Sequence, residues 1–350
     1  MGIKEIDTHK LSLHPTRIAL WETTGFCYPI HIEVGITNKC NHRCVQCTLD
    51  WINHKNDSLD AEVFVKTLRV ASEIGVRSIY FAGEGEPALH EDLPLFVKTA
   101  HDLGIKVALS TNGSRLNTLK KTLPYLSWLR FSVDAGTPET FSSIHGVHRD
   151  EFDKVLSNIK FCTHEVKLSG HNVQIGVQTL LMPENINEIE GLGEITKEIG
   201  VHNFQVKPAH CHPSSSYQIN NYQYLRDNLQ ERLEKLDDEN FTTVVRVKSL
   251  ERLDQARTYK ECHAFHFYCL IDACGNVTPC NIFYGKPEYI FGNIYDNNLH
   301  TIWKSQQKKD VIEKITALEH SLCEEYRCRQ DVMNRYLERV KNPELNDEFI

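Results

Sequence analysis

Long apolar stretches are missing from this sequence. No run approaches the roughly 18 consecutive apolar residues that a membrane-spanning helix needs. The first ten residues, MGIKEIDTHK, contain no apolar signal region, and Ile6 stands where N-myristoylation requires Ser or Thr. We therefore expect a cytoplasmic protein that has no membrane partner and no lipid anchor.

Dense basic runs are missing as well. The chain has 39 Lys and Arg against 47 Asp and Glu, a formal net charge of −8, so it lacks the electrostatic footprint of a nucleic-acid-binding protein. A hydrophobic fraction of 41% with 25% charged residues also excludes disordered and fibrous classes. The 350 residues suffice for one large α/β domain, or for a domain with an appendage.

Cysteine is present in unusual number, with twelve in the chain. Reducing cytosol keeps thiols free, so a disulfide framework is not expected. Metal ligation or catalysis is the leading explanation, and the positions of the cysteines decide between them.

Strand-like and helix-like patterns alternate after residue 30. Short β-branched or aromatic runs predict six strands, at His31–Ile36, Ser78–Ala82, Lys106–Ser110, Leu129–Val133, Val173–Leu181 and His202–Lys207. Apolar residues at helical spacing predict helices between them, at Asp60–Gly75, Asp92–Leu103, Asp150–His164 and Asn187–Ile199. Six such units predict a parallel sheet in an α/β fold, either a partial (β/α)6 TIM-like barrel or a doubly wound sheet. In both, the active site lies at the carboxyl ends of the strands.

The rhythm changes after residue 213, where HPSSSYQ reads as a linker. We expect an N-terminal extension (1–29), a barrel domain (30–213), a linker with a charged helix near Tyr222–Leu236 (214–240) and a C-terminal α+β domain (241–350). The last segment has few long apolar runs but six of the twelve cysteines, so we expect it to depend on a metal for folding.

The first cysteine cluster directly follows the first predicted strand. Cys40, Cys44 and Cys47 form a C-x3-C-x2-C run. Three thiolates without a nearby fourth suit a [4Fe–4S] cluster with one open iron, whereas zinc sites normally take four ligands. A zinc loop completed by His42 or His54, or three buried thiols, are the alternatives.

This loop resembles that of the radical S-adenosylmethionine (SAM) superfamily, whose defining pattern is C-x3-C-x-aromatic-C. One departure is Gln46, which stands where the family usually has an aromatic residue that packs near adenine. The departure affects the expected adenine contact and leaves the three cysteines in place.

Further segments similar to the family follow in order at the predicted strand ends. They are Gly83-Glu84-Gly85-Glu86-Pro87, Ser110-Thr111-Asn112-Gly113, Ser132-Val133-Asp134, Gln178 and Gln205-Val206-Lys207-Pro208. The resemblance implies SAM contacts at Gly83, Glu84, Gly85, Glu86, Asn112, Ser132, Asp134, Gln178 and Val206. Glycines let backbone carbonyls approach a ligand, and a carboxylate neutralises the methionine ammonium, a role expected of Glu84 and Asp134.

The second cysteine cluster resembles the C-x(9–15)-G-x4-C signature of SPASM and Twitch extensions. Cys262, Gly275 and Cys280 fit this spacing, and the strand-like segments around Gly275-Asn276 predict a hairpin. With Cys323 and Cys328 the resemblance implies one auxiliary [4Fe–4S] cluster, because the later cysteines of a full SPASM module are missing. Zinc on the same four thiols is the alternative.

Three spare cysteines are candidates for a catalytic hydrogen donor, since the S–H bond is weak. We rank Cys269 first because it lies on the predicted hairpin, then Cys211, then Cys274 beside the turn. Cys269 as an alternative ligand or a core residue is the competing interpretation.

The resemblance implies an enzyme with SAM and two [4Fe–4S] clusters, reduced by a low-potential donor such as flavodoxin or ferredoxin. We expect a 5′-deoxyadenosyl radical to abstract hydrogen from a small polar substrate (sugar, aminocyclitol or nucleoside type), giving epimerisation or dehydrogenation. A peptide-modifying SPASM-type maturase is the alternative. It is disfavoured because the 30 residues before the first strand are too few for a peptide-recognition domain. A zinc-binding scaffold is a third, weaker alternative.

Overall fold

The structure, a computed structural model, describes residues 9–52, 55–209, 212–219, 228–246, 256–317, 328, 330–347 and 349. The predicted sites Cys211 and Cys323, and the alternative ligand His54, lie outside the described residues.

A single ten-stranded sheet organises these residues. Its strands are β1 (His31–Val34), β2 (Ser78–Phe81), β3 (Lys106–Thr111), β4 (Trp128–Ser132), β5 (Gln174–Leu181), β6 (Asn203–Pro208), β7 (Thr242–Val245), β8 (Tyr268–Ile271), β9 (Asn276–Thr278) and β10 (Gly292–Asn293). Their order across the sheet is β10-β9-β8-β1-β2-β3-β4-β5-β6-β7. Strands β1 to β8 pair in parallel, whereas β9 and β10 are antiparallel additions.

Helices follow most strands of the parallel part and continue at its C-terminal side. They are α1 (Pro15–Thr24), α2 (Ala61–Glu73), α3 (Leu93–Asp102), α4 (Leu116–Thr122), α5 (Pro138–His145), α6 (Glu151–Ser169), α7 (Ile189–Ile199), α8 (Leu229–Glu234), α9 (Leu299–Lys304), α10 (Gln306–Ala317) and α11 (Asp331–Lys341). The predicted α/β fold with a partial barrel and a C-terminal extension is confirmed.

Local signals explain where the helices begin and end. Asp60 caps α2, because its side chain accepts a hydrogen bond from the Val63 backbone. Helix α6 ends at Gly170, which adopts the left-handed conformation (φ 69°) that glycine tolerates best. The strands contribute buried side chains to both faces, as expected for a parallel sheet with helices on one side and a filled interior on the other.

The C-terminal residues extend the same sheet. Strand β8 pairs with β1 in the register His31 to Tyr268 through Val34 to Ile271, and the Gly35 backbone N–H continues the ladder to Ile271. Strand β7 pairs with β6 at the other edge. Strands β7 and β8, which both follow the expected boundaries at 213 and 240, therefore belong to the same sheet as β1 to β6. The predicted hairpin around Gly275 is formed by β8 and β9.

None of the helices in the described ranges is both long enough and apolar enough to cross a bilayer.

Candidate functional site

The first cysteine cluster lies at the carboxyl end of β1, where the loop from Thr37 to Cys47 begins. All three thiols are partly buried, and burial is the main cause that raises the pKa of each. The charges of Cys40 and Cys47 further raise the pKa of Cys44, because these thiols lie close to it. The three thiols therefore converge on one place.

Close backbone packing fixes the start of this loop. A Cβ at Gly85 would lie 2.3 Å from the Lys39 carbonyl oxygen and 2.7 Å from that of Thr37. The Glu86 backbone N–H donates to the same Lys39 oxygen at 2.8 Å. Only glycine leaves room for this approach, so the predicted glycine segment holds the cysteine loop against the end of β2.

The end of α5 holds the second half of the loop. The Arg43 backbone N–H donates to the His145 carbonyl, and the Val45 N–H donates to the Ile144 carbonyl, both at 2.9 Å. The side chain of His145 also contacts the loop, with Nδ1 at 3.4 Å from the Cys44 Sγ. Two backbone bonds and one side-chain contact therefore position Cys44.

Glu86 has a structural place in the site. Its fully buried carboxylate accepts from the Thr111 hydroxyl and the Asn112 backbone, each at 2.6 Å, and from the Ala88 backbone at 2.9 Å. The Asn112 side chain donates to Asn41 of the cysteine loop at 3.0 Å. Glu86 and Asn112 thus connect the ends of β2 and β3 to the loop.

Asp134 lies beside the same loop, at the end of β4. One carboxylate oxygen accepts from the Gln46 side chain and the other from the Leu180 backbone, both at 2.6 Å. Burial raises the pKa of Asp134 to about 6, although these hydrogen bonds and the charge of Lys207 oppose the rise. Gln46, which departs from the family pattern, therefore fills its position as the partner of Asp134.

Two buried amide oxygens near Asp134 have no hydrogen-bond partner within the part of the chain that the structure describes. They are Oε1 of Gln46 and Oε1 of Gln178. Buried polar atoms are normally paired, so these oxygens are available to a polar ligand. The site fits a [4Fe–4S] cluster with SAM bound beside it, because three thiols converge here, Gly85 lets the backbone approach closely, and two acceptor oxygens are available.

Two further predicted SAM contacts, Val206 and Ser132, differ in their surroundings. The Val206 carbonyl, whose backbone was expected to meet adenine, already accepts from the Arg246 N–H of the β7 edge at 2.9 Å. The contact of the Val206 backbone with adenine stays a prediction, and β7, which the sequence did not reveal, already uses one acceptor position of this carbonyl. Ser132 is half-buried and pairs in register with Gln178, so it lies beside the site as predicted.

The second cysteine cluster converges on a separate cavity. Cys262, Cys280 and Cys328 line it together with apolar side chains, including Phe265 and Ile282. Amide donors are already directed at two of the sulfurs, from the Gln330 backbone to Cys328 at 3.3 Å and from the Asn334 side chain to Cys262 at 3.5 Å. Converging cysteines with N–H donors in an apolar cavity fit a second iron–sulfur cluster.

Glu84 lies apart from the cysteine loop, against the end of β8. Its carboxylate accepts from the Ala273 backbone at 2.7 Å. Burial, together with the charges of Asp272 and Asp57, raises its pKa to about 8. The carboxylates whose charges raise the pKa of the loop cysteines are different ones: Glu86 acts on Cys40, and Asp134 acts on Cys44. The carboxylate predicted to pair with the methionine ammonium thus belongs to a different group, and this position does not support that role for Glu84.

We call Asp57, Glu84 and Asp272 the acidic cluster. It lies at the carboxyl ends of β1, β2 and β8. The fully buried Tyr284 side chain borders it, and its hydroxyl has no hydrogen-bond partner among the described residues. That hydroxyl lies 3.2 Å from where a Cβ of Gly83 would be. Burial raises the pKa of Tyr284, and the charges of Glu84 and Asp272 raise it further. Gly83 thus borders the acidic cluster.

Cys269 lies on the wrong face of β8 for a hydrogen donor. It pairs with Ile32 and is fully buried in the core between sheet and helices, where burial raises its pKa to about 12. Its neighbours Tyr268 and Leu270 instead pack on the face that meets Cys47. The first-ranked donor prediction is therefore corrected to a core residue, which was the competing interpretation.

Cys274 is exposed and follows the carboxyl end of β8. Burial is the main cause that raises its pKa to about 11, and the nearby charges of Asp272, Asp57 and Glu84 contribute to the rise. The thiol therefore stays protonated near neutral pH, beside the acidic cluster.

Sequence reasoning missed His145 and Tyr284, because neither falls in a recognisable motif. Among the described residues, ligand atoms of His42, Cys44 and His145 lie within 4.8 Å of one another, which is a different set from the predicted zinc loop of three cysteines with His42 or His54. This set uses Cys44, so it competes with the three-cysteine centre instead of adding to it.

Comparison with known families and proteins agrees with this geometry. The model of the radical SAM superfamily matches residues 34–194, and that of an iron–sulfur cluster-binding domain, SPASM, matches residues 262–329. The first match contains the cysteine loop, and the second contains Cys262, Cys280 and Cys328, which line the apolar cavity.

Curated relatives share part of the chain. A GTP 3′,8-cyclase of Nautilia profundicola is 32% identical over 179 residues, which is 49% of this chain and 54% of that protein. A probable GTP 3′,8-cyclase of Sulfurisphaera tokodaii is 27% identical over 212 residues, 59% of this chain and 65% of that protein. The matches thus span between half and two thirds of the length of these relatives.

Solved structures share the fold over nearly the whole chain. SuiB of Streptococcus suis bound to S-adenosylmethionine superposes with a TM-score of 0.67 at 17% identity, covering 95% of this chain and 79% of that one. Native anSMEcpe with bound AdoMet superposes with a TM-score of 0.58 at 16% identity, covering 90% of this chain and 100% of that one.

The buried Glu84 carboxyl predicts a pH-dependent stability. Its pKa of about 8 exceeds the ordinary 4.5, so the fold favours the protonated form; this stabilisation is complete below pH 4.5 and is lost as the pH rises through 8. Glu84→Gln cannot ionise but still accepts from Ala273. We expect the wild type to lose on the order of 1 kcal/mol per pH unit relative to this variant between pH 6 and pH 8.

Anaerobic urea unfolding of both proteins at these two pH values measures the difference. The exposed Glu91→Gln variant is the control, and it should track the wild type at both pH values. A difference between Glu84→Gln and wild type that does not change with pH would contradict the assigned burial of the charge.

Proposed function

We propose that this chain, which belongs to the radical SAM superfamily and carries a C-terminal SPASM iron–sulfur domain, abstracts a hydrogen atom from a small polar substrate that bears an ammonium group. Epimerisation is the outcome that we favour, with dehydrogenation as its alternative. SAM and [4Fe–4S] clusters are its cofactors, and when bound they supply a 5′-deoxyadenosyl radical.

The convergence of Cys40, Cys44 and Cys47 at the end of β1 is the observation that carries this proposal. These residues would hold the SAM-binding cluster, and Cys262, Cys280 and Cys328 would hold the auxiliary one together with Cys323. Gly85 and the end of α5 hold the backbone of the loop in place, which positions the three cysteines at the end of β1. Asp134 with Gln46, and the unpaired Gln178 oxygen, supply polar contacts for SAM.

The acidic cluster supports an ammonium-bearing substrate. Its three carboxylates lie together at the strand ends. The pKa of Glu84 is high because its side chain is buried and because the charges of Asp272 and Asp57 lie near it. A buried acidic group gains most from a cation that enters without its water, because the charge pair is strong where solvent is excluded. The unpaired Tyr284 hydroxyl can accept a hydrogen bond from the same ammonium.

Nucleotide cyclisation is the second candidate, favoured by the names of the curated relatives. Their shared region includes at most two thirds of each relative, and identity is at or below 32%. The acidic cluster would repel a triphosphate, which argues against GTP at this position. A peptide with a lysine is a further possibility, because a structural neighbour is described as bound to precursor peptide SuiA.

Cys274 is the best described candidate for a hydrogen donor. Its protonated thiol lies beside Glu84, whereas the Cys269 side chain is fully buried in the core between the sheet and the helices. Inversion requires that the S–H bond breaks and a C–H bond forms on the opposite face of the substrate radical. The resulting thiyl is then restored by one electron, from the low-potential donor, and one proton.

A substrate panel tests the substrate class. Anaerobic, iron-reconstituted enzyme is incubated with SAM, dithionite and either an amino sugar or aminocyclitol, its hydroxyl analogue, GTP or a lysine-bearing peptide. We expect the amines to raise 5′-deoxyadenosine formation at least tenfold over the analogues. Glu84→Gln should raise the KM for the amine at least tenfold with little change in kcat, since a buried charge pair is worth about 2–5 kcal/mol on truncation.

Glu91→Gln is the matched control, because it makes the same substitution at an exposed position. Turnover of GTP to a cyclised product without response to amines would establish the second candidate. Response to the peptide alone would place the activity among the peptide-modifying enzymes.

Isotope labelling identifies the hydrogen donor. In deuterated water the wild type should give a product of unchanged mass class that carries one solvent deuterium, because thiols exchange with solvent. Cys274→Ala should lose this label and the turnover that depends on it, and Cys269→Ala should keep both. A product lighter by two hydrogens without label would instead establish a dehydrogenase, and loss of label only in Cys269→Ala would contradict the assignment to Cys274.

A further inference from the structure

His145 is a buried histidine that bridges two parts of the site. It is the last residue of α5 and is 1% exposed. Its Nδ1 lies 3.4 Å from the Cys44 sulfur, and its Nε2 lies 3.2 Å from the backbone nitrogen of Asp134. The imidazole therefore contacts the cysteine loop on one side and the end of β4 on the other.

The two contacts determine where the ring carries its proton. The Asp134 backbone N–H can only donate, so Nε2 of His145 must accept and keep its lone pair free. A neutral imidazole has one N–H, which is then on Nδ1. Since Nδ1 faces Cys44, the ring donates an N–H···S hydrogen bond to that sulfur.

The surroundings hold this ring in a single orientation. Phe141, one turn earlier in α5, stacks on it with 4.1 Å between ring centroids. Gly146 adopts φ 60°, and a Cβ there would lie 2.5 Å from the Arg43 carbonyl oxygen, so the helix end and the loop are in close contact. The ring cannot turn away from Cys44 without losing the stack and the bond from Asp134.

We propose that His145 is a positioning residue that donates a hydrogen bond to the Cys44 thiolate and thereby raises the reduction potential of the SAM-binding cluster. The inference rests on the proposed function, in which Cys44 is a ligand of that cluster. Reduction adds negative charge to the cluster, and a hydrogen bond to a ligand sulfur stabilises the more negative state. The hydrogen bond from the Asp134 backbone also connects His145 to the residue that we propose contacts SAM.

Three substitutions separate a hydrogen-bond role from a packing role. His145→Phe keeps the ring shape without a donor, and His145→Asn keeps an N–H near the position of Nδ1 in a smaller side chain. The exposed His148→Phe is the control. A hydrogen-bond role predicts that Asn resembles the wild type and Phe differs, whereas a packing role predicts the reverse.

Redox titration followed by EPR measures the potential of the cluster whose signal changes when SAM is added. At a fixed applied potential we expect the ratio of reduced to oxidised cluster to fall about tenfold in His145→Phe, a shift of about 59 mV to more negative values for a one-electron couple. His145→Asn should stay within about threefold of the wild type, and His148→Phe should equal it.

Equal potentials for His145→Phe and wild type, at equal iron content, would overturn the proposal. So would a shift in the Asn variant larger than that in the Phe variant. If His145→Phe does not retain iron, His145→Leu takes its place as the donor-free variant. A wild-type protein without any SAM-sensitive EPR signal would instead defeat the proposed function, so the two failures are distinguishable.

Discussion

The parallel pairing of β1 with both β2 and β8 is the constraint on which the rest of the structure depends. β1 is four residues long, yet it is hydrogen-bonded on both sides and leads directly into the cysteine loop. Because the strands are parallel, their carboxyl ends meet, so the loop, Glu84 and the turn of Cys274 share one edge of the sheet. The C-terminal iron–sulfur domain is thereby built onto the same sheet as the radical SAM domain.

This arrangement separates the carboxylates of the site into two sets. Glu86 and Asp134 lie beside the cysteines and spend their oxygens on hydrogen bonds that join strand ends to the loop. Glu84 lies with Asp57 and Asp272 at the β8 side, where burial and mutual repulsion raise its pKa to about 8. In our proposal SAM binds beside the first set, and a cationic substrate binds beside the second. The exposed thiol of Cys274 lies next to the second set.

The sequence predicted what is local and missed what depends on long-range pairing. Six strands and the cysteine loops follow from runs of β-branched residues and from spacing, and the structure has them at nearly the predicted bounds. The sequence could not predict which face of β8 carries Cys269, because every residue of this strand is buried and apolar and polar residues do not alternate along it. The pairing of β7, which occupies the Val206 carbonyl, and the contact of His145 with Cys44, 101 residues apart, likewise depend on tertiary packing.

We propose that Cys40, Cys44 and Cys47 hold one catalytic cluster and that the C-terminal cysteines hold another. Mössbauer and iron analysis of the wild type and of the variant with all three loop cysteines replaced by Ala, after anaerobic reconstitution, tests it most directly when 5′-deoxyadenosine is measured on the same samples. We predict that the variant retains about half of the wild-type iron, as a [4Fe–4S] signal, and forms no 5′-deoxyadenosine. A variant that still cleaves SAM, or that retains all of its iron, would contradict the account.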